Sequence, residues 1–301
     1  MLDRGREAIS LSRAGFEQLR LLEGDNQERA LVLGASQLDI ELLPVLYDTL
    51  CGIGHVPCLN VIVYCRGGEV NVARRIALLM HEFTERLRFI VPYHCESAAT
   101  VMVLAAHEIV AGPLAIFSPI DPHLNGSDPE GVVTALSAQD IRMFSTMAQN
   151  WFGLNDHQAR ERALSLLCDS IAPASLTAFY RSALGVCQIG EEMLALHLSH
   201  LPAAQRTAIV EALAFGYHSH DYALNGSDLA RLGLPVCRDP ILEAAAWSVV
   251  GELRTRIGPE TRKTSERGWC DALIATCEGG QVRTRQQEAL PGDWTSFGTA
   301  I

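Results

Sequence analysis

The chain has 301 residues, of which 48% are hydrophobic and 20% charged, and a formal charge of −11 at pH 7. This is the composition of a globular protein long enough for one large domain, or for one domain with additions. A net negative charge without an aromatic-and-basic stripe argues against nucleic acid and anionic membrane surfaces as partners, because both reward basic patches.

Residues 1–24 read as an N-terminal segment. Its opening Met-Leu-Asp-Arg-Gly-Arg has neither an apolar core nor a cleavage pattern, so no secretory leader is expected and the expected location is cytoplasmic. The main domain is expected over 25–258. Within it Glu28–Gly34 predicts a strand, since Ala30-Leu-Val-Leu is a short apolar run that stops at a glycine. Leu42, Leu43, Leu46 and Leu50 recur at helical spacing and predict a helix over 38–50. Next come a predicted strand over 59–64, a helix over 70–83, a strand over 87–92 and a helix over 98–106. Short apolar runs at 108–110 and 115–117 close the unit. Strands alternating with helices imply parallel crossovers with both sheet faces covered, an α/β fold. The most apolar stretch, 98–111, is interrupted by His107 and Glu108 and is too short to span a bilayer.

After Pro122 the character changes. Asn125-Gly-Ser-Asp-Pro-Glu-Gly131 is a dense turn signal, and from there to about Gly216 the pattern predicts helices nearly throughout. Breaks are expected near 153–156, 172–173 and 201–202, and Ser137 is a plausible N-cap. Beyond residue 258, Pro259-Glu-Thr-Arg-Lys-Thr-Ser-Glu-Arg reads as a polar linker. The segment 271–285, with Gly279-Gly280 at its turn, predicts a hairpin, and the remainder reads as loop. The nine cysteines are an odd number with no Cys-x-x-Cys pair. Cys51, Cys58, Cys65 and Cys95 lie in or beside apolar runs and read as small buried hydrophobes in a reducing compartment. Neither a structural metal nor a cofactor is expected.

Two turns carry the chemistry. The strand Val61-Ile-Val-Tyr-Cys65 ends in Arg66-Gly-Gly68, which offers bare backbone N–H groups. About thirty residues later Tyr93-His-Cys-Glu-Ser97 ends another strand and puts a hydroxyl at a helix start, where unpaired N–H groups favour developing negative charge. A nucleophile on one such turn and an anion cradle on its neighbour are what acyl transfer needs. Taken alone, a serine in that position is ordinarily a helix cap, and Cys95 is ordinarily a core residue rather than a nucleophile.

These motifs occur in a series: Cys65-Arg-Gly-Gly68, Glu96-Ser-Ala-Ala-Thr100, Ala105-Ala-His-Glu-Ile-Val110 and Ser118-Pro-Ile-Asp-Pro-His123. In that order and spacing the chain resembles the Clp-protease/crotonase superfamily. It is most like the serine dehydrogenase proteinase family, relatives of signal peptide peptidase A. That family shows Thr-Pro-Gly-Gly, Met-Ser-Ala-Gly-Thr, Ala-Ala-Asp-Glu-Ile-Val and Gly-Pro-Val-Asp-Pro-Gln in turn. The segment from Tyr217-His-Ser-His-Asp-Tyr222 to Leu232-Gly-Leu-Pro-Val236 resembles the family's later His-Asp and Leu-Gly-Leu signature. The resemblance implies a right-handed ββα spiral with a helical excursion, here over about 131–216; the 259–301 segment has no counterpart in it and reads from composition as a small C-terminal extension. The resemblance also implies Ser97 as nucleophile and an oxyanion hole made by the N–H groups of Gly68 and Ala98.

For the base, the superfamily uses either lysine or a histidine with an acid. The single lysine, Lys263, stands in the polar linker, which leaves histidine. His220 matches the closer family's His-Asp and ranks first. His123, 26 residues after the serine (123 − 97), ranks second. Asp121 or Asp221 is the orienting acid: Asp121 falls on the Clp base position, and Asp221 on the acid of the Clp triad. His107 replaces the family's aspartate and is expected to end its helix as a cation facing the dipole. His94 is a neighbour of the nucleophile, and the other histidines read as structural. Glu96 beside the nucleophile and Arg66 in place of the family's proline are departures; Arg66 is placed to bind a substrate carboxylate or to pair with Glu96 or Glu69.

The resulting expectation is a cytoplasmic serine peptidase acting on peptides or unfolded proteins through an acyl-enzyme, as a homo-oligomer whose interface includes the 132–152 helix. A catalytically inactive assembly or peptide-binding module is the alternative, favoured by Glu96, Arg66 and the C-terminal tail. Acyl-CoA chemistry of the crotonase type would need paired acids and a basic patch for nucleotide phosphates, and the sequence displays neither.

Overall fold

The computed structural model describes residues 10–24, 27–127, 133–257, 264–287 and 291–298. In chain order the elements are α1 (Arg13–Glu23), β1 (Arg29–Ala35), α2 (Leu42–Ile53), β2 (Val56–Cys65), α3 (Val70–His81), β3 (Thr84–Val91), β4 (His94–Cys95), α4 (Ala98–Val103), β5 (Glu108–Ala111) and β6 (Ile116–Phe117). The excursion follows as β7 (His123–Ser127), β8 (Val133–Ser137), α5 (Ala138–Phe152), α6 (His157–Ser170), α7 (Pro173–Ala195) and α8 (Ala203–Phe215). The chain then returns through α9 (Gly226–Arg231), β9 (Val236–Cys237), α10 (Pro240–Leu253), β10 (Thr264–Thr276), β11 (Gly279–Gln287) and β12 (Asp293–Gly298).

The sheet order is β12-β11-β10-β1-β2-β3-β5-β9, and a second short layer is made by β4 pairing with β2 and β6. The β1-β2-β3-β5-β9 part is parallel throughout. Its strands read as continuous apolar runs because both faces are covered. Along β1, Leu31 and Leu33 enter the core shared with α2, α3 and α4, while Ala30 and Val32 enter the core under α1 and α10. Period-two alternation thus feeds two cores from one strand.

Helix α1, the strand over 133–137 and strand β12, where loop was expected, differ from the sequence expectation. Helix α1 was not anticipated, although Ser12 accepts from Gly15 N–H as its cap and Phe16, Leu19 and Leu22 are buried. Residues 133–137 are strand rather than helix, pairing antiparallel with 123–127. The β-branched Val133 and Thr134 favour that state, and the turn signal before them makes a hairpin. The hairpin expected at Gly279-Gly280 does form, and with β12 it continues the main sheet, β10 pairing antiparallel with β1. Lys263, most of the expected linker and the tip of the 125–131 turn lie outside the described residues.

The C-terminal strands also reach the loop after β1. Arg283, fully buried, donates to Asp271 through Nε and to both oxygens of Asp39 through Nη1 and Nη2. Burial alone would lower the pKa of that guanidinium; its hydrogen bonds to Asp39 and Asp271 outweigh this and hold it above its ordinary value. Asp39 adjoins Leu38, the residue on which one of the two functional turns rests.

Candidate active site

The first turn leaves β2 at Cys65. Gly67 and Gly68 have φ of +128° and +130°, a region that side-chain-bearing residues avoid. They run alongside Leu38, whose N–H donates to Gly67 O at 2.7 Å and whose carbonyl accepts from Glu69 N–H at 2.8 Å. A parallel bridge of that register turns the intervening Gly68 N–H to the opposite side. There it borders a cavity of about 540 Å³ that Ser97 and Ala98 also line. A Cβ on Gly68 would stand 2.4 Å from both Leu38 N and Leu38 O, backbone atoms that cannot yield. Gly68→Ala is therefore expected to destabilise the fold by about 2 kcal/mol or more and to lose covalent reactivity at the site. Thermal unfolding and active-site labelling, read together, check this.

The second turn leaves β4 at Cys95 and is tied to the first by Glu96 N–H donating to Cys65 O at 3.1 Å. Ser97 has φ 54° and ψ −121°, one of two non-glycine residues with positive φ among the described residues. The strain is held by neighbours. Ser97 N–H donates to Ser118 Oγ at 2.7 Å, whose own hydroxyl donates to Pro119 O, and Thr100 Oγ1 donates to Cys95 O at 2.8 Å. The Ser97 side chain makes no capping hydrogen bond to α4, which removes the ordinary explanation for a serine at this position. Strained backbone that is over-determined by its surroundings is a mark of functional residues.

A third turn, Ser118–Pro122, carries Asp121. This carboxylate is buried; its Oδ2 accepts from Ser137 Oγ at 2.8 Å and its Oδ1 lies 2.8 Å from His220 Nδ1. His220 sits on the loop after α8. That loop is pinned beside the Asp121 turn by two backbone hydrogen bonds of 2.8 Å between Phe117 and Leu224. A proton on Nδ1 shared with Asp121 leaves Nε2 as the basic nitrogen. Asp121 and His220 both line the cavity that Ser97 lines.

The other sequence candidates are placed as follows. Asp221 is exposed, its N–H accepted by Ser219 Oγ, and it does not border the cavity. His123 begins β7, in register with Ser137. Cys95 is fully buried and its thiol is pushed well up by burial, as that of Cys65 is, to about 12, so neither supplies a thiolate. Arg66 reaches His94 Nε2 at 3.0 Å and lies 4.0 Å from Glu96, while His94 Nδ1 bonds Glu96. Since a guanidinium only donates, His94 Nε2 accepts and Nδ1–H faces the carboxylate. The Glu96 charge is in this way countered before it reaches Ser97. His107 does not act as a helix-ending cation. Burial lowers its pKa, its Nδ1 accepts from Leu87 N–H, and the carbonyls of Ala105 and Leu104 are taken instead by His81 Nε2 and His197 Nε2. Ser118, Ser137 and Leu38 were missed as supports. Ser118 lies inside a quoted motif and Ser137 was recognised as a cap, but their second bonds are long-range and leave no local signature.

Over residues 53–147 the chain matches the ClpP-like SDH-type serine proteinase family. That segment is about a third of the chain, and the family it matches is one of serine proteinases. The ordered motifs around Gly68, Ser97 and Asp121 all fall inside the matched segment. Two curated relatives come from Methanocaldococcus jannaschii. One is uncharacterized protein MJ0137, 31% identical over 78 residues, covering 26% of this chain and 27% of the relative. The other is uncharacterized protein MJ1495, 29% identical over 66 residues, covering 22% of this chain and 23% of the relative. The match thus spans about a quarter of the length of these relatives. Among solved structures, a mutant of the 1510-N membrane-bound stomatin-specific protease aligns over 71% of this chain and 78% of its own, at 13% identity and a TM-score of 0.38.

Proposed function

We propose that the protein is a serine peptidase that cleaves peptides or unfolded segments through an acyl-enzyme. The observation that carries this reading is the hydrogen-bonded Asp121–His220 pair on the wall of the cavity that Ser97 and the Gly68 N–H also line. Ser97 Oγ attacks the scissile carbonyl carbon while His220 Nε2 takes the hydroxyl proton. Gly68 and Ala98 N–H groups receive the carbonyl oxygen as it becomes anionic. Collapse of the tetrahedral adduct breaks the C–N bond, and the imidazolium returns its proton to the leaving amine. Water, deprotonated by the same nitrogen, then releases the acyl group. Asp121 fixes the ring through its hydrogen bond to Nδ1. Incubation with a fluorophosphonate probe, followed by peptide mapping, tests the proposal: the adduct is expected on Ser97. A protein that stays unlabelled would support the non-catalytic assembly reading.

The peptidase is further proposed to work as a homo-oligomer. None of the fourteen residues of α6 is buried, and Trp151, Phe152, Leu164, Leu166, Tyr180 and Leu184 are all more than half exposed on α5, α6 and α7. Large apolar side chains exposed in this number on neighbouring helices support an association surface. Light scattering at micromolar concentration is expected to give a multiple of 32.8 kDa, and a monomer that persists on concentration would count against it. Among the described residues no single helix is long and apolar enough to cross a membrane.

A further inference from the structure

The helix α7 contains two interior glycines, and only one has a packing reason. Gly190 lies against α8: a Cβ there would meet Val210 Cγ1 at 2.8 Å, so the close approach of the two helices requires its absence. At Gly185 a Cβ would meet nothing within 4 Å. Its φ is the helix's own, and glycine in a helix interior costs about 1 kcal/mol relative to alanine. Neither backbone geometry nor packing among the described residues accounts for it. Gly185 does, however, line the cavity that holds Ser97, so the space left by its missing side chain belongs to that cavity.

We infer that Gly185 is a specificity-determining position, keeping room beside Ser97 for a bulky neutral apolar side chain of the bound peptide. The inference rests on the peptidase reading for the identity of the ligand, but the space and its chemistry stand on geometry. Ser182 lies three and four residues before Gly185 and Val186, and Ile189 four and three residues after them, so one face of α7 forms a wall of the cavity. Val70, Val101 and Ile120 contribute apolar surface from α3, α4 and the Asp121 turn. Charge narrows the choice. The ionisable lining groups are Glu69, Asp121 and His220, with no lysine or arginine among the described lining residues. An anionic side chain would therefore be repelled. A cationic one would find Asp121 already engaged by His220 and Ser137, and Glu69 held in solvent, where an ion pair contributes little. A leucine-, methionine- or phenylalanine-sized group gains most from entering.

The test is a binding measurement in the Ser97→Ala background, where no turnover can occur. Fluorescein-labelled Gly-Gly-X-Gly-Gly peptides with X as Leu, Phe, Ala or Glu are titrated with the protein and followed by anisotropy. The Leu and Phe peptides should bind at least about tenfold more tightly than the Ala or Glu peptides. Adding Gly185→Leu should weaken Leu and Phe binding by about tenfold to a hundredfold while leaving the Ala peptide within about twofold. Gly185→Ala should fall between. Both substitutions introduce better helix formers, so thermal unfolding should not drop; should the leucine variant misfold, the alanine variant carries the comparison. Unchanged Leu and Phe affinity in the Gly185 variants, or Glu binding as tight as Leu binding, would overturn the assignment. Side-chain discrimination that persists in a protein whose Ser97 takes no fluorophosphonate would sink the catalytic reading alone.

Discussion

Ser97→Ala is expected to abolish fluorophosphonate labelling and to lower kcat by on the order of 10⁶, the loss typical when an activated serine is removed. The fold should survive the change. The side chain caps nothing, and the contact that holds the residue in place runs from its N–H to Ser118 Oγ, which alanine keeps. The positive φ of 54° gives a second and more discriminating outcome. Alanine at that angle inherits the strain, whereas glycine relieves it, at a difference of about 1–2 kcal/mol. Ser97→Gly should therefore be as inactive as Ser97→Ala but measurably more stable in thermal unfolding. The stored strain is released only when the residue that replaces the serine can adopt positive φ freely. If the glycine variant were no more stable than the alanine variant, the strain would not be a cost borne for function. If either variant retained labelling, the nucleophile would be another residue.

Much of the spiral was legible in the sequence because its strands are short apolar runs stopped by Gly67 or by polar turns, and its helices repeat at regular spacing. The Gly67-Gly68 turn was legible because its backbone demands glycine, and Ser97 because it stands within an ordered series of motifs. What the sequence did not disclose is long-range. Arg283 reads as one arginine in a polar strand, and nothing near it signals that it is buried between Asp39 and Asp271 at the far end of the chain. The 133–137 strand was read as helix because it lies between a turn and a strong helix, whereas its state is completed by pairing with 123–127. The choice between Asp121 and Asp221 was open for the same reason. The two aspartates are a hundred residues apart, and which one faces His220 depends on the Phe117–Leu224 bridge rather than on sequence neighbourhood.

That choice yields the second large effect. Asp121→Asn should lower kcat by about 10⁴ with little change in KM. An amide at that position can donate to His220 Nδ1, which would place the imidazole proton on Nε2, where it cannot accept from Ser97. The substitution also touches Ser137, whose hydroxyl donates to Asp121 and caps α5. Ser137→Ala isolates that part: losing the cap should cost about 1 kcal/mol of stability and far less activity than Asp121→Asn. His220→Gln should be at least as damaging as Asp121→Asn, since it removes the base itself. Asp221→Asn should be nearly silent, because the residue is exposed and away from the cavity. His123→Gln installs the residue that the related family carries at this place and should also keep labelling. The pattern across these variants decides the dyad. Full activity in His220→Gln with loss in His123→Gln would move the base to β7, and Asp121 would then serve a histidine two residues away in sequence rather than one ninety-nine residues distant.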